Sequence, residues 1–217
     1  LDWLKQANIN INEHIDVVVI PPTGMTEAME SNDIDGFCVG NPWNAKAVRL
    51  GIGTTVITSC DIWQDAPEKI LAVNKRWQQA HPNTFLAMLS AVQQACEWLS
   101  SHANRFETAI WLTEYLDEPL EVIAPSLMNS CITSLSTEAR DVPAYNRFIS
   151  NGANKPTREQ AQILVNKMKE SQQLASDFSI EQSNKLIDDV YRPDLYEQML
   201  EIKPMTQLGD NFKVEAT

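Results

Sequence analysis

The sequence predicts an α/β layer with parallel strands, followed by a mainly helical region. Four short apolar runs, most of them rich in β-branched residues, occur in the first third of the chain: 16–20, 36–40, 54–58 and 70–73. Segments with the apolar periodicity of helices lie between the first three. Continuous runs of this kind are typical of strands buried on both faces. Their alternation with helices favours a parallel sheet, and the helical spacing beyond residue 81 predicts a region built almost entirely of helices.

The helices follow from apolar periodicity and from residues that start and stop them. In the α/β part, Thr23 can cap a helix over 25–31, and Gly51 can end one over 42–50. The start of the chain, 1–7, has the spacing of the end of a helix. Later helices are predicted over 84–100, 104–116, 119–128, 145–151, 157–174 and 179–191. The Ser/Thr-rich stretch 130–142 is predicted as a surface loop, and 207–217 as a frayed tail.

Charge and composition exclude several classes of function. The chain has 217 residues with 17 basic and 29 acidic side chains, a net charge of −12. This excess of negative charge disfavours nucleic acids and anionic membranes as partners, and no apolar run approaches the roughly 20 residues of a membrane-spanning helix. The first residue is not methionine, which suggests a processed or truncated chain. The four cysteines form no CxxC pair, and we expect free, buried thiols.

The residues that usually carry catalysis are scattered along the sequence. His14, His81 and His102 lie far apart among polar neighbours, which is typical of exposed histidines. The chain has no nucleophile elbow, no zinc-protease motif and no glycine-rich phosphate loop. We therefore predict a protein that is not an enzyme and has no metal site or cofactor.

The stretch 35–45 has the best pattern for a binding site. An apolar run leads through Gly40 and Asn41 into a helix that begins near Trp43. Ligands of α/β sheets bind at the carboxyl ends of strands, and a glycine there allows close approach. Trp43 could then form one wall of a small pocket. On spacing alone, the slightly better interpretation is that Phe37 and Trp43 are core residues beside a tight turn.

A second stretch, 61–71, supplies charge. Glu68 and Lys69 begin an apolar run, and strand alternation predicts that their side chains point to opposite faces. Lys69 facing a cleft would favour an anion, whereas a solvated Glu68–Lys69 pair is the alternative. From 44 to 76 the chain has five basic residues against three acidic ones, so this window is positive within an acidic protein.

Six short motifs, in order, resemble the nitrate- and bicarbonate-binding proteins of ABC transporters. They are Val-Ile-Pro-Pro at 19–22, Asp-Gly-Phe-Cys-Val-Gly at 35–40, Pro-Trp-Asn-Ala at 42–45, Gly-Ile-Gly at 51–53, Pro-Glu-Lys at 67–69 and Tyr-Arg-Pro-Asp-Leu-Tyr at 191–196. The resemblance runs from about residue 1 to 200 and is poor over 131–154.

The resemblance implies a periplasmic-binding-protein-like (type II) clamshell, incomplete here because the family's first lobe precedes the start of this sequence. It divides the chain into a second-lobe α/β segment, 1–66, a return to the first lobe with a C-terminal helical region, 67–206, and a tail, 207–217. It places Gly40, Asn41, Trp43 and Lys69 at the ligand. Asn41 stands where the family often has glutamate, and Ala66 where it often has histidine.

The implied function is solute binding for an ABC-type uptake system. The ligand is a small oxyanion, with nitrate or nitrite favoured over bicarbonate, and the partners are ABC permease subunits. The implied location is the periplasm or the outer face of the inner membrane. The chain alone is expected to self-associate through the face that the first lobe would cover, and to bind little anion.

Three alternatives remain open at this point. The first is a cytoplasmic nitrate sensor or regulatory protein of the same fold. The second is an enzyme resembling thiamine-pyrimidine synthases, which would need a catalytic segment rich in histidine and cysteine that this sequence lacks. The third is a helical interaction module without a ligand.

Overall fold

The computed structural model describes residues 2–136, 139–142, 145–175 and 177–201. Within these residues the fold is rich in helices and contains one small sheet. The α-helices are α1 Asp2–Gln6, α2 Ile11–His14, α3 Met25–Glu30, α4 Trp43–Arg49, α5 Ser59–Ile62, α6 Lys75–Ala80, α7 Pro82–Trp98, α8 His102–Leu116, α9 Leu120–Leu127, α10 Arg158–Glu170, α11 Ile180–Val190 and α12 Pro193–Glu201. Two 3-10 turns, Pro22–Gly24 and Ser150–Gly152, and two strands, β1 Ser130–Cys131 and β2 Arg140–Asp141, complete the described part.

The four runs predicted as parallel strands have no regular secondary structure. Many of their apolar side chains lie in solvent, with Val19 99% and Val56 78% exposed, whereas Phe37, Val39 and Ile57 are half-buried. A strand, unlike a helix, finds its backbone hydrogen-bond partners on another strand, and the described residues place no strand beside these runs. The parallel pairing expected from the sequence is therefore absent within the described part of this chain.

The helices between these runs form as predicted, and α4 anchors them to the rest of the molecule. Ala45, Ala47 and Val48 are buried on one face of α4, and α4 packs on α9, where Val122 and Ile123 are buried. Small side chains on α4 allow the two helices to approach closely. This packing fixes the position of the turn that precedes α4.

A buried arginine joins α8 to α9. The Arg105 guanidinium donates to the carbonyl of Leu99 at 2.6 Å and to that of Leu127 at 3.4 Å. It also lies 5.0 Å from the ring centroid of Phe148. Burial lowers the pKa of Arg105 from its usual value. Nothing in the helical periodicity distinguishes this arginine from a solvated one.

The helices α10 and α11 form a separate small core. Ala161, Val165 and Ile187 are buried together, with Leu174 and Tyr191 packed against them. Both helices begin with a capping box. The Thr157 and Ser179 hydroxyls accept from the third backbone N–H of their helix, and the side chain of the glutamine at that third position accepts from the backbone N–H of the capping residue. The two predicted helices are confirmed, although α10 ends at Glu170, four residues earlier than expected.

The predicted surface loop over 130–142 contains the sheet of the described part. Ser130 pairs with Asp141 and Cys131 with Arg140 in an antiparallel ladder. Arg140 also binds Asp61, 2.8 Å from Nη2 to Oδ2, and so ties β2 to the start of α5. Cys131 of β1 and Val142, the residue after β2, are buried, so one side of the hairpin faces the interior.

Two other predictions differ from the structure. The helix expected over 145–151 is wrong, since only the 3-10 turn Ser150–Gly152 is helical among the described residues there. The four cysteines are free as predicted, but only Cys131 is buried, and Cys38 is exposed on a run that pairs with no strand among the described residues. The predicted tail, 207–217, lies outside the described residues. Among those residues no helix combines the length and the apolar character needed to cross a bilayer.

Candidate anion-binding site

The Lys69 ammonium lies directly over Gly40. A Cβ added at Gly40 would stand 2.6 Å from Lys69 Nζ and 3.8 Å from Lys69 Cε. Any side chain at position 40 would therefore push the ammonium away. Two of the four residues that the sequence selected, Gly40 and Lys69, therefore lie together in this structure.

Glu68 is part of the same cluster. Its Oε1 accepts from Lys69 Nζ at 2.8 Å and lies 3.5 Å from the Gly40 Cβ position. The expectation that Glu68 and Lys69 point to opposite faces is wrong, because residues 68 and 69 are not in a strand and their long side chains converge. The side chains are 56% and 78% exposed, so water and any anion can reach the pair.

Asn41 is held from a distant part of the chain. Its Oδ1 accepts from the Tyr145 hydroxyl at 2.9 Å. The same hydroxyl accepts from Asn44 Nδ2 at 3.5 Å and lies 3.9 Å from Cys131 Sγ. Burial is the main cause that raises the pKa of Tyr145 to about 12, so the phenol stays neutral and donates. Asn44 Oδ1 is buried with no hydrogen-bond partner.

Trp43 begins α4 and has a cation on its ring. Lys46 Nζ lies 5.5 Å from the ring centroid and forms an ion pair with the buried carboxylate of Glu118. A ring face can hold either a cation or a stacked planar anion, and the contact seen at Trp43 is with a cation. The half-buried ring is consistent with a pocket wall and also with the alternative interpretation, a core residue beside a turn.

The site combines residues that the sequence predicted with others that it did not. Gly40 and Lys69 meet, and Asn41 is fixed by Tyr145, whereas the recorded ring contact of Trp43 is with Lys46. Tyr145 and Glu118 were missed because their partners are 104 and 72 positions away in sequence. A local pattern carries no signal for such pairs.

Other candidate chemistry is sparse in the described part of the chain. His14, His81 and His102 are exposed, as predicted. Across the described ranges, no group of three or more His, Cys, Asp or Glu side chains is arranged to hold a metal ion. The Lys69 ammonium over Gly40, with Tyr145 holding the neighbouring Asn41, is therefore the candidate site.

Residues 2–113 match the sequence model of the NMT1-like family, which is just over half of the chain. The chain belongs to the NMT1-like family. The match contains Gly40, Asn41, Trp43 and Lys69, so all four candidate residues lie in the part that defines membership.

Relatives of this NMT1-like chain include transport proteins of cyanobacteria. The nitrate import ATP-binding protein NrtC of Synechocystis sp. is 31% identical over 196 residues, which are 89% of this chain and 29% of that protein. The nitrate/nitrite binding protein NrtA of Synechococcus elongatus is 33% identical over 156 residues, 71% of this chain and 35% of that protein. The chain thus spans about a third of the length of these curated relatives.

The fold of this NMT1-like chain is also found in a crystal structure. The periplasmic nitrate-binding protein NrtA from Synechocystis PCC 6803 superposes with a TM-score of 0.84 at 24% identity. The superposition covers 91% of this chain and 51% of that one. The predicted fold class, an incomplete clamshell of the periplasmic-binding-protein type, is confirmed by this likeness.

Proposed function

We propose that this chain is part of a receptor for a small oxyanion, with nitrate or nitrite favoured over bicarbonate. The observation that carries the proposal is the Lys69 ammonium seated over Gly40, in a place from which a Cβ at position 40 would displace it. The similarity to nitrate-binding and nitrate-import proteins supports the same conclusion from an independent direction.

In this proposal each candidate residue has a distinct role. Lys69 supplies the charge, and Gly40 leaves an anion room to approach the ammonium. Asn41 presents its amide N–H groups while its oxygen accepts from Tyr145. Trp43 supplies a flat wall, which suits a planar anion that hydrogen-bonds around its edge.

Glu68 sets how strongly the anion binds. Its carboxylate already pairs with Lys69 at 2.8 Å, so an arriving anion competes with Glu68 for the ammonium. Neutralising Glu68 would leave the ammonium free for the ligand. Glu68 is therefore expected to weaken binding of nitrate while it keeps Lys69 over Gly40.

The proposal also covers location, partners and domain organisation. By analogy with NrtA, the receptor would work in the periplasm or on the outer face of the inner membrane and deliver the anion to ABC permease subunits. Residues 1–66 would belong to the second lobe of the clamshell, and 67–206 would return to the first lobe and form the C-terminal helices.

The test is calorimetric titration of nitrate, nitrite and bicarbonate into the full natural polypeptide that contains this chain. Lys69→Ala should weaken nitrate binding at least tenfold, whereas Glu68→Gln should strengthen it. Lys75→Ala is the matched control, because Lys75 is another exposed lysine that pairs with one carboxylate, Asp189, at 2.9 Å. Nitrate affinity that survives Lys69→Ala would refute the role of Lys69, and silence for all three anions would refute the receptor.

A second candidate is a sensor that regulates transport in the cytoplasm. It is favoured by the match to NrtC, an ATP-binding protein, over 89% of this chain. The same oxyanion would then change ATP hydrolysis rather than be delivered. Nitrate-dependent ATPase activity in the natural assembly, lost with Lys69→Ala, would support the sensor, and an unchanged rate would exclude it.

A further inference from the structure

Tyr145 connects the candidate site to the hairpin formed by β1 and β2. Its backbone N–H donates to the carbonyl of Val142 at 2.8 Å, immediately after β2. Its hydroxyl reaches Asn41, and Cys131 of β1 lies 3.9 Å from the same oxygen. A single side chain thus joins a stable ladder to a turn that has no regular structure of its own.

Only one assignment of donors and acceptors fits the hydrogen bonds around the Tyr145 hydroxyl. The phenol has one proton, and the shorter contact, 2.9 Å, is to Asn41 Oδ1. Its lone pairs then accept from Asn44 Nδ2 at 3.5 Å. With its oxygen occupied in this way, the Asn41 amide must present its N–H groups elsewhere. Asn41 is exposed, so those donors are available to a ligand.

We infer that Tyr145 is a positioning residue, which holds Asn41 as a donor and so fixes the turn from Gly40 to Trp43 for an oxyanion. This inference rests on the proposed function only for the identity of the ligand. The hydroxyl is the part of Tyr145 that acts, and the ring serves to bring it there. Tyr145→Phe removes the hydroxyl and keeps the ring, which separates positioning from packing.

The first measurement needs no ligand. The ¹H–¹⁵N heteronuclear NOE of the backbone amides of Gly40, Asn41 and Trp43 reports fast motion of the turn. In the 217-residue chain, Tyr145→Phe should lower these values and leave those of α10 and α11 unchanged. Tyr196→Phe is the matched control, because its part-buried hydroxyl donates to Gln93 at 3.4 Å, away from the site.

The second measurement is nitrate affinity in the full natural polypeptide. Loss of a neutral hydrogen bond of ordinary strength corresponds to about fivefold weaker binding. Tyr145→Phe should show this loss, Tyr196→Phe should not, and Tyr145→Phe should have no further effect in an Asn41→Ala background. The midpoint of thermal unfolding, measured on the same variants, tells whether packing has changed.

The outcomes separate the two proposals. Turn amides that are equally rigid with and without the hydroxyl would overturn the positioning role. An equal loss of affinity in both Asn41 backgrounds would also overturn it, because Tyr145 would then act independently of Asn41. A turn that loosens in Tyr145→Phe, in a protein that binds no nitrate, would support the positioning role and overturn the proposed function.

Discussion

The irregular apolar runs before residue 75 and the helix pair α10 and α11 use similar apolar side chains with opposite results. In α10 and α11, Val165 and Ile187 are 4% and 2% exposed, whereas Val18 and Val19 are 60% and 99% exposed. All four residues are aliphatic and β-branched. The two regions differ in where the backbone finds its hydrogen bonds.

A helix satisfies its backbone locally, so α10 and α11 need only each other to bury a face. A strand in a parallel sheet takes its backbone hydrogen bonds from neighbouring strands, which are distant in sequence. The first region therefore keeps its helices, such as α3 and α4, while the runs between them stay irregular. Apolarity alone does not produce burial unless the backbone is also satisfied.

The largest expected contrast is in stability. Ile187→Ala should lower the free energy of unfolding by about 2–5 kcal/mol, because it empties part of a closed core. Val19→Ala should change it by less than about 0.5 kcal/mol, since the side chain is already in solvent. Urea unfolding followed by circular dichroism measures both. A large cost at Val19 would show that its run is packed in solution.

The next contrast is in self-association. The exposed runs offer apolar side chains to a second copy, so the 217-residue chain should dimerise at high concentration. Val19→Lys with Ile70→Lys should weaken the dimer at least tenfold in analytical ultracentrifugation. Ile180→Lys should have no effect, because Ile180 is 78% exposed, close to the 74% of Ile70, but lies at the start of α11. A wild-type chain that stays monomeric at every concentration would contradict the prediction.

A smaller effect is expected at a helix cap. Thr157 Oγ1 accepts from the Gln160 backbone N–H at 3.2 Å, and the Thr157 backbone N–H donates to Gln160 Oε1 at 3.2 Å. Thr157→Ala should cost about 1 kcal/mol of unfolding free energy, and Thr157→Ser should restore most of it. Equal stability of the alanine and serine variants would mean that the hydroxyl does not cap α10.

The smallest effect is a pH dependence in the first region. Hydrogen bonds from Arg140 and Thr58 lower the pKa of Asp61 from 3.8 to about 2. Asp61 therefore contributes stability above pH 4 that is lost as the pH falls towards 2. The pair is partly exposed, so the contribution should be below about 1 kcal/mol. Asp61→Asn should remove this slope in unfolding measured between pH 5 and 2.5, and an unchanged slope would refute the assignment.

Much of the fold could be predicted from the sequence because helices are local. The spacing of Val165 and Ala161 and the caps at Thr157 and Ser179 contain the information that forms α10 and α11. The helix α4 was predicted to within a residue for the same reason. The hairpin of β1 and β2 was missed, because its inner face depends on burial of Cys131 against distant residues.

The candidate site was predictable only in part. Gly40 and Lys69 could be selected from the sequence because each adjoins an apolar run. The structure brings them together. The direction of Glu68 was wrong because strand alternation does not apply to an irregular segment. Tyr145 could not be found, since no short pattern links residues 41 and 145.

The different exposure of the four thiols has a practical use. Cys38 is exposed two residues before Gly40, whereas Cys131 is enclosed behind Tyr145. A maleimide dye should therefore label Cys38 in the native protein and leave Cys131 unmodified. A fluorophore at that position would lie two residues from Gly40, where the proposed anion would change its surroundings. The protein thus carries a natural attachment point for an optical sensor.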